Sequence, residues 1–559
     1  MKQNRSLITA IVGCLLIAFI GYFWSTGLID SVFHYRSPLR FTPPAPAEPI
    51  ATPLTHQVVI VLIDALRYDT SINTSVMPFL NYLRNQGASA KMHSQPPSYS
   101  EPGYSTLLTG AWPEINDGPA VNLDYEDIPT FTQDNIFSAA HRLGLRTAIS
   151  GYSWFQKLVP QTAVDASFYT AGEDATADQA VVQAALPMLS GNFQLVLIHI
   201  DQVDYAGHHQ GGPLDPRWNA AAKRADGELQ QIVSAMDLKL DTVIVLSDHG
   251  QIDRGGHGGP EPVALLEPFV MAGAGVRPGS FYSDMEQVDV APTVAVLLNT
   301  NFPASAEGTA QTAMLNLSPA YAIKIRSGEI AQKSLLFKSY TNAIKSQPTR
   351  SPDPTDAFSY VVAMDSARTN RLAKERVWRN LAALTLAVLP GYFLVIRGKK
   401  KLLWLASGAL VYLLVFNFRY AVLDRRTYSL SSVDSQTWLI TYTAASAAIA
   451  LVIGWLVSML RLHAFQAGSR KAAETSLGFV FFTIYLLALP ILVSFAVNGL
   501  LVTWTLPEFY TSYLALLSLI QWVFVAMLGL VLTGAVALIA HYVPEQVIEM
   551  KKYRRKYVH

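Results

Sequence analysis

The sequence predicts an α/β domain, a mainly parallel sheet with helices on both faces, flanked by membrane-spanning helices. Short runs rich in β-branched residues at 58–63, 146–150, 195–200, 242–247 and 268–272 alternate with amphipathic segments at 135–143, 178–189 and 217–236. Apolar runs near or above the roughly 20 residues that span a bilayer occur once at the N-terminus and five times after residue 377. Composition agrees: 559 residues exceed one ordinary domain, 51% are hydrophobic, and mean hydropathy is +0.25. A net charge of +1 gives no general attraction for polyanions, so no nucleic-acid partner is expected. The single cysteine, Cys14, excludes an internal disulfide.

Taken in order, Lys2 and Arg5 precede an apolar run from residue 7 with no A-x-A cleavage site, so residues 1–29 read as an uncleaved signal anchor. Ile11-Val12-Gly13-Cys14 superficially fits a lipoprotein cleavage box. The apolar run continues through Phe23, however, where a mature lipoprotein turns polar. Residues 30–56 carry Pro38, Pro43, Pro44, Pro46, Pro49 and Pro53 and read as a stiff spacer. The α/β domain occupies 57–309. Residues 310–377 form a polar, helical, membrane-proximal segment with no assigned chemistry. Residues 378–542 hold apolar runs at 378–396, 402–422, 437–460, 477–502 and 512–542, and 543–559 is a basic tail. Arg397 and Lys399–Lys401 lie between the first two runs. Arg461, Arg470 and Lys471 lie between the third and fourth, and Lys551, Lys552, Arg554, Arg555 and Lys556 end the chain. The other loops carry Arg425, Arg426 and Asp424 in one case and only Glu508 in the other, so alternate loops are the basic ones. The positive-inside rule then gives six spans, both termini cytoplasmic, and the α/β domain outside, with the lipid bilayer as a partner and the plasma membrane as the location.

The chemistry lies at strand ends. In LVLIHIDQVDYAGHHQGG, from Leu195, a buried strand ends in Asp201, Asp204, His208 and His209. Carboxylate oxygen with imidazole nitrogen suits zinc and similar divalent ions, and strand carboxyl ends are where open α/β sheets bind ligands. Asp204 and His208 have D-x-x-x-H spacing, with Gly207 permitting close backbone approach, while Asp201 and His209 compete for the same task. Asp64 ends the first strand, where an isolated Asp is more often a helix cap. QPPSYSEPGYSTLLTG at 95–110 places Ser98 and Ser100 at a helix start, which favours anions. A serine there can attack phosphorus once a metal lowers its hydroxyl pKa. Asp248 and His249 are adjacent at another strand end. His257 stands among Gly255, Gly256, Gly258 and Gly259, a setting with little core to pack into. Together these clusters supply donors for two metal ions and a nucleophile.

These motifs resemble the alkaline phosphatase superfamily, its type I phosphodiesterase/nucleotide pyrophosphatase branch, and within it the GPI ethanolamine phosphate transferases. The resemblance rests on LIDALR at 62–67, PSYSEPG at 97–103, VDYAGHHQGG at 203–212, DHG at 248–250 and GGHGG at 255–259. GYSWFQKLVP at 151–160 is similar to a G-D-x-T-W-x-x-LFP segment but lacks its acids. VDVAPTVAVLL at 288–298 resembles a later marker. The resemblance implies an alkaline-phosphatase-like fold and an enzyme, a metal-dependent phosphoric ester hydrolase or phosphotransferase. It implies Ser100 as nucleophile. One metal, zinc first, would be held by Asp64, Asp248, His249 and Ser100, and a second by Asp204, His208 and His257. The substrate expected beside a membrane is a lipid or cell-envelope phosphoester. Glu101 departs from the family pattern and is expected to add negative charge beside the phosphate. The rival enzymatic reading, a sulfatase, needs Arg where Tyr104 stands. The rival non-enzymatic reading, a polytopic transporter or assembly protein, needs paired ionisable residues in the spans and finds mainly Arg419.

Overall fold

The computed structural model describes residues 2–49 and 52–557, without the side chains of 2–6, 393–395, 397–401 and 543–557. The terminal and 397–401 charges used above therefore lie outside the described side chains. The chain divides into two compact units. One comprises Val32–Lys374 with Thr503–Leu506, and the other Met1–Ser31, Glu375–Val502 and Pro507–His559.

The first unit is built on eight strands: β1 Gln57–Ile63, β2 Ala88–His93, β3 Thr147–Tyr152, β4 Ala166–Thr170, β5 Leu195–Ile200, β6 Asp241–Leu246, β7 Leu266–Gly273 and β8 Ser280–Glu286. They form one sheet in the order β4-β3-β5-β1-β6-β7-β2-β8, in which only β7 runs antiparallel to its neighbours. β1 is buried along its whole length because both faces are covered. Its alternate residues divide between two cores. Val58, Ile60 and Leu62 join Tyr104, Leu107 and Val294 on one face. Val59, Val61 and Ile63 join Val181, Trp218 and Leu229 on the other. Period-two alternation thus serves two apolar layers at once.

Two sequence expectations change here. The proline-rich segment is not a free spacer at its start. Leu39 is fully buried against Ile115, Leu336 and Tyr340, and Ser37 N–H donates to Asp117 Oδ1 at 2.8 Å. Apolar anchors and a paired Asp117 dock it. The segment after residue 309 is likewise part of the unit, for Gln332 Nε2 donates to the carbonyls of Ala304 and Ala306.

In the second unit, five helices among the described residues are long and apolar enough to cross a membrane: Leu7–Phe33, Leu402–Leu423, Gln436–Arg461, Ser469–Asn498 and Phe509–Tyr542. That is four rather than five after the eight-stranded sheet. The run 378–396 is not a helix of its own. It belongs to a helical stretch, Ala357–Asn417, and Arg379, Asn380 and Pro390 dilute it. The stretch nonetheless folds back. Arg376 Nε donates to Val497 O at 2.9 Å, and Tyr420 OH lies 2.7 Å from Tyr513 OH. Both contacts sit at the end where Asn498 Nδ2 donates to Thr511 Oγ1 at 3.0 Å. A straight helix would set residues 376 and 417 on the order of 60 Å apart.

Candidate active site and metal centre

Strands β5, β1 and β6 are parallel neighbours, so their carboxyl ends share one edge. Asp64 follows β1, Asp201 follows β5, and Asp248 and His249 follow β6 after Ser247. Asp204 and His208 are one turn apart on the helix Gln202–His209, and Ser100 is the first residue of the helix Ser100–Thr109. Two glycines permit the convergence by absence of a side chain. A Cβ on Gly103 would lie 2.8 Å from Asp248 Cβ, and one on Gly207 would lie 1.7 Å from Gln251 Oε1.

The seven residues singled out by sequence come together. Ser100 Oγ lies 3.1 Å from His249 Nε2, which is 3.5 Å from Asp64 Oδ1 and 3.4 Å from Asp248 Oδ2. His208 Nε2 and His257 Nε2 face each other at 2.9 Å, with Asp204 oxygens at 3.4 and 3.6 Å. The rings of His249 and His257 stack at 3.9 Å. Two ligand-like groups result, Asp204–His208–His257 and Asp64–Asp204–His249, and Asp204 belongs to both.

The donor set fits divalent metal. His257 Nδ1 donates to Ser98 O at 3.0 Å and His249 Nδ1 to Gly250 O at 3.0 Å, which leaves a lone pair on each Nε2. Asp64 Oδ1 and Asp248 Oδ2 are buried with no hydrogen-bond partner. Buried carboxylate oxygens ordinarily find one. Burial, then the neighbouring Asp64, pushes the Asp248 carboxyl well above the carboxylate range. Burial, then His249, holds the His257 imidazole well below its ordinary value. Burial opposes ionisation of Asp204 too, but His208, His257 and His249 outweigh it and lower its pKa. Excess buried negative charge facing imidazole lone pairs is the environment a cation relieves.

Several residues here escaped the sequence reading. His199, inside β5, lies 2.9 Å from both Asp64 Oδ2 and Tyr104 OH, and Tyr104 OH also donates to Asp64 Oδ2. Asp64 is thus oriented by two buried partners. The signal available was an imidazole interrupting an aliphatic strand. A cavity of ≈ 150 Å³ over the site is lined by Ser100, Asn122, Tyr152, Trp154, Glu173 and Asp201, among others. Of the two competitors, Asp201 faces this cavity, whereas exposed His209 packs on Tyr205 at 4.6 Å and joins neither group.

One further expectation is corrected. Glu101 is 0% exposed, and burial pushes its carboxyl up to about 9, which opposes the negative charge expected of it. Ser98 precedes the helix start. Its hydroxyl donates to Gly259 O and accepts from Gly258 N–H, both at 3.0 Å, and so clamps the glycine-rich loop that carries His257.

Residues 58–117 and 129–273 match the family model for type I phosphodiesterase / nucleotide pyrophosphatase. These two spans of the chain are similar to the type I phosphodiesterase family. All seven site residues fall inside the two matched spans. The chain is 28% identical over 296 residues to human GPI ethanolamine phosphate transferase 2, catalytic subunit, covering 48% of this chain and 30% of that protein. It is 26% identical over 311 residues to GPI ethanolamine phosphate transferase 2 of Candida albicans, covering 51% and 35%. The chain therefore spans about a third of the length of these relatives. The solved structure of human ectonucleotide pyrophosphatase / phosphodiesterase 5 aligns with 47% of this chain and 100% of its own, at 15% identity and TM-score 0.39.

Proposed function

We propose that this protein is a membrane-anchored phosphodiesterase or phosphotransferase that works through a phospho-serine on Ser100. The observation that carries the reading is Ser100 Oγ, at a helix start, 3.1 Å from His249 Nε2 and beside two metal-ligand groups. Asp204, His208 and His257 would hold one divalent ion, zinc first, and Asp64, Asp248, His249 and Ser100 the other. Bound there, the pair would supply Lewis-acid stabilisation of the phosphoryl oxygens and a lowered hydroxyl pKa. The chain's own groups do the rest. Ser100 Oγ forms a bond to phosphorus and gives up its proton to solvent, while the bond to the departing oxygen breaks and that oxygen takes up a proton from solvent to leave as an alcohol. The helix N-terminus faces the anionic group. Asn122 Oδ1 accepts from Glu101 N–H at 3.0 Å, so its NH₂ is turned elsewhere and can donate to a phosphoryl oxygen. Water or an acceptor hydroxyl then attacks the phosphorus, the Oγ–P bond breaks, and Ser100 recovers its proton.

Matched relatives named as ethanolamine phosphate transferases, and apolar helices flanking the phosphodiesterase domain, support a lipid-linked phosphoester and an acceptor alcohol. Product analysis on purified full-length protein with lipid phosphodiesters, with and without acceptor alcohols, tests this. Acceptor-dependent transfer product is expected. Products that ignore the acceptor would make the enzyme a hydrolase, and no turnover of any phosphodiester would refute the reading.

Six passes, both termini inside and the phosphodiesterase domain outside the cytoplasm, belong to the same proposal. Alternating basic loops support it, as does the fold-back between residues 376 and 417. A C-terminal fusion is expected to be active with a cytoplasmic reporter and silent with a periplasmic or lumenal one. The reverse pattern contradicts the topology.

A further inference from the structure

Glu101 lends its backbone N–H to the mechanism above, which leaves its side chain without a task. It is wholly buried one position after Ser100, at a point where a carboxyl side chain has to be accommodated at a cost. Two hydrogen bonds tie it to the segment that carries Asn122. Its backbone N–H donates to Asn122 Oδ1 at 3.0 Å, and its Oε1 accepts from Leu123 N–H at 3.2 Å. Main chain and side chain of one residue thus grip two consecutive residues of a loop that is otherwise remote in sequence. A backbone N–H can only donate, so the contact fixes the oxygen end of the Asn122 amide and leaves its two N–H donors for other partners. Asn122 shares the cavity wall with Ser100, Asp64 and His257.

We infer that Glu101 is a positioning residue. Through Asn122 and Leu123 it holds the Asn122 amide where a phosphoryl oxygen on Ser100 would meet it. This rests on the phosphoryl-transfer reading of the site. The Leu123 contact needs only an acceptor oxygen at the end of a side chain of this length. A glutamine supplies it, a leucine does not, and an aspartate is one methylene short.

The test is a double-variant cycle on the full-length protein with a soluble probe, bis(4-nitrophenyl) phosphate. Asn122→Ala and Glu101→Leu are each expected to lower kcat/KM by about 10²-fold, the scale of losing one preorganised donor. The double variant should be no more than about threefold worse than Asn122→Ala, because both changes remove the same donor. Glu101→Gln should recover most of the loss. Glu101→Asp takes the place of Glu101→Leu in the cycle if the latter does not accumulate, and metal content reports whether the ligand groups survive. Losses that multiply in the double variant would overturn the inference, as would near-wild-type activity in Glu101→Leu or Asn122→Ala. The parent reading fails separately, by undiminished turnover in Ser100→Ala.

Discussion

Ser100→Ala is expected to abolish turnover, with kcat falling by about 10³-fold or more, while metal content and fold survive. The change deletes the atom that forms the covalent bond, and removal of a nucleophile costs far more than removal of one binding contact. Ser100 is nearly buried, and among the described residues its hydroxyl donates to His249 Nε2, so little else depends on it. Ser100→Thr should keep part of the activity, because the hydroxyl remains and the added methyl only crowds a small cavity. Ser98→Ala separates the two serines. It removes the two hydrogen bonds to Gly258 and Gly259, worth about 1 kcal/mol each. Its effect should be a lowered melting temperature and weaker metal binding at His257, not loss of the covalent step. Steady-state kinetics and metal analysis on the three variants together make the distinction.

Metal removal has the second largest expected effect. The purified protein should contain close to two equivalents of divalent metal, and chelation should abolish activity reversibly. Asp248→Ala should cost one equivalent and His257→Ala the other, because they stand in different ligand groups. Asp204→Ala should disturb both, since its carboxylate lies within ligand distance of each group. Elemental analysis reads all three. Full occupancy in Asp248→Ala and His257→Ala would mean that these side chains are not ligands. In that case the buried oxygens of Asp64 and Asp248 would need another explanation.

The clusters were legible in sequence because the fold places chemistry where a strand stops. In β1, β5 and β6 an aliphatic run ends abruptly in an acid or an acid–histidine pair, and such endings survive translation into three dimensions. His199 was not legible for the complementary reason. It lies inside the run, where a histidine reads as a satisfied core residue, and only the tertiary approach of Asp64 and Tyr104 gives it a task. Asn122 and Glu101 were hidden in the same way, for their contact joins a loop to a helix start across 21 residues. Three strands were missed. β2, β4 and β8, with sequences ASAKMH, ASFYT and SFYSDME, have few β-branched residues, and β4 and β8 are sheet edges with partly exposed side chains. The charge expected of Glu101 was misread because sequence carries no measure of burial. The same limit made residues 35–39 look like a spacer, although Tyr35 and Leu39 are core residues of the first unit.

The phospho-serine is tested by trapping the phosphoryl group on the protein and locating it. Full-length protein is quenched in acid during turnover of a labelled phosphodiester, digested, and mapped by peptide mass spectrometry. Label is expected on Ser100, within the peptide containing PSYSEPG, and none in Ser100→Ala. Label on Ser98, or undiminished turnover in Ser100→Ala, would contradict it.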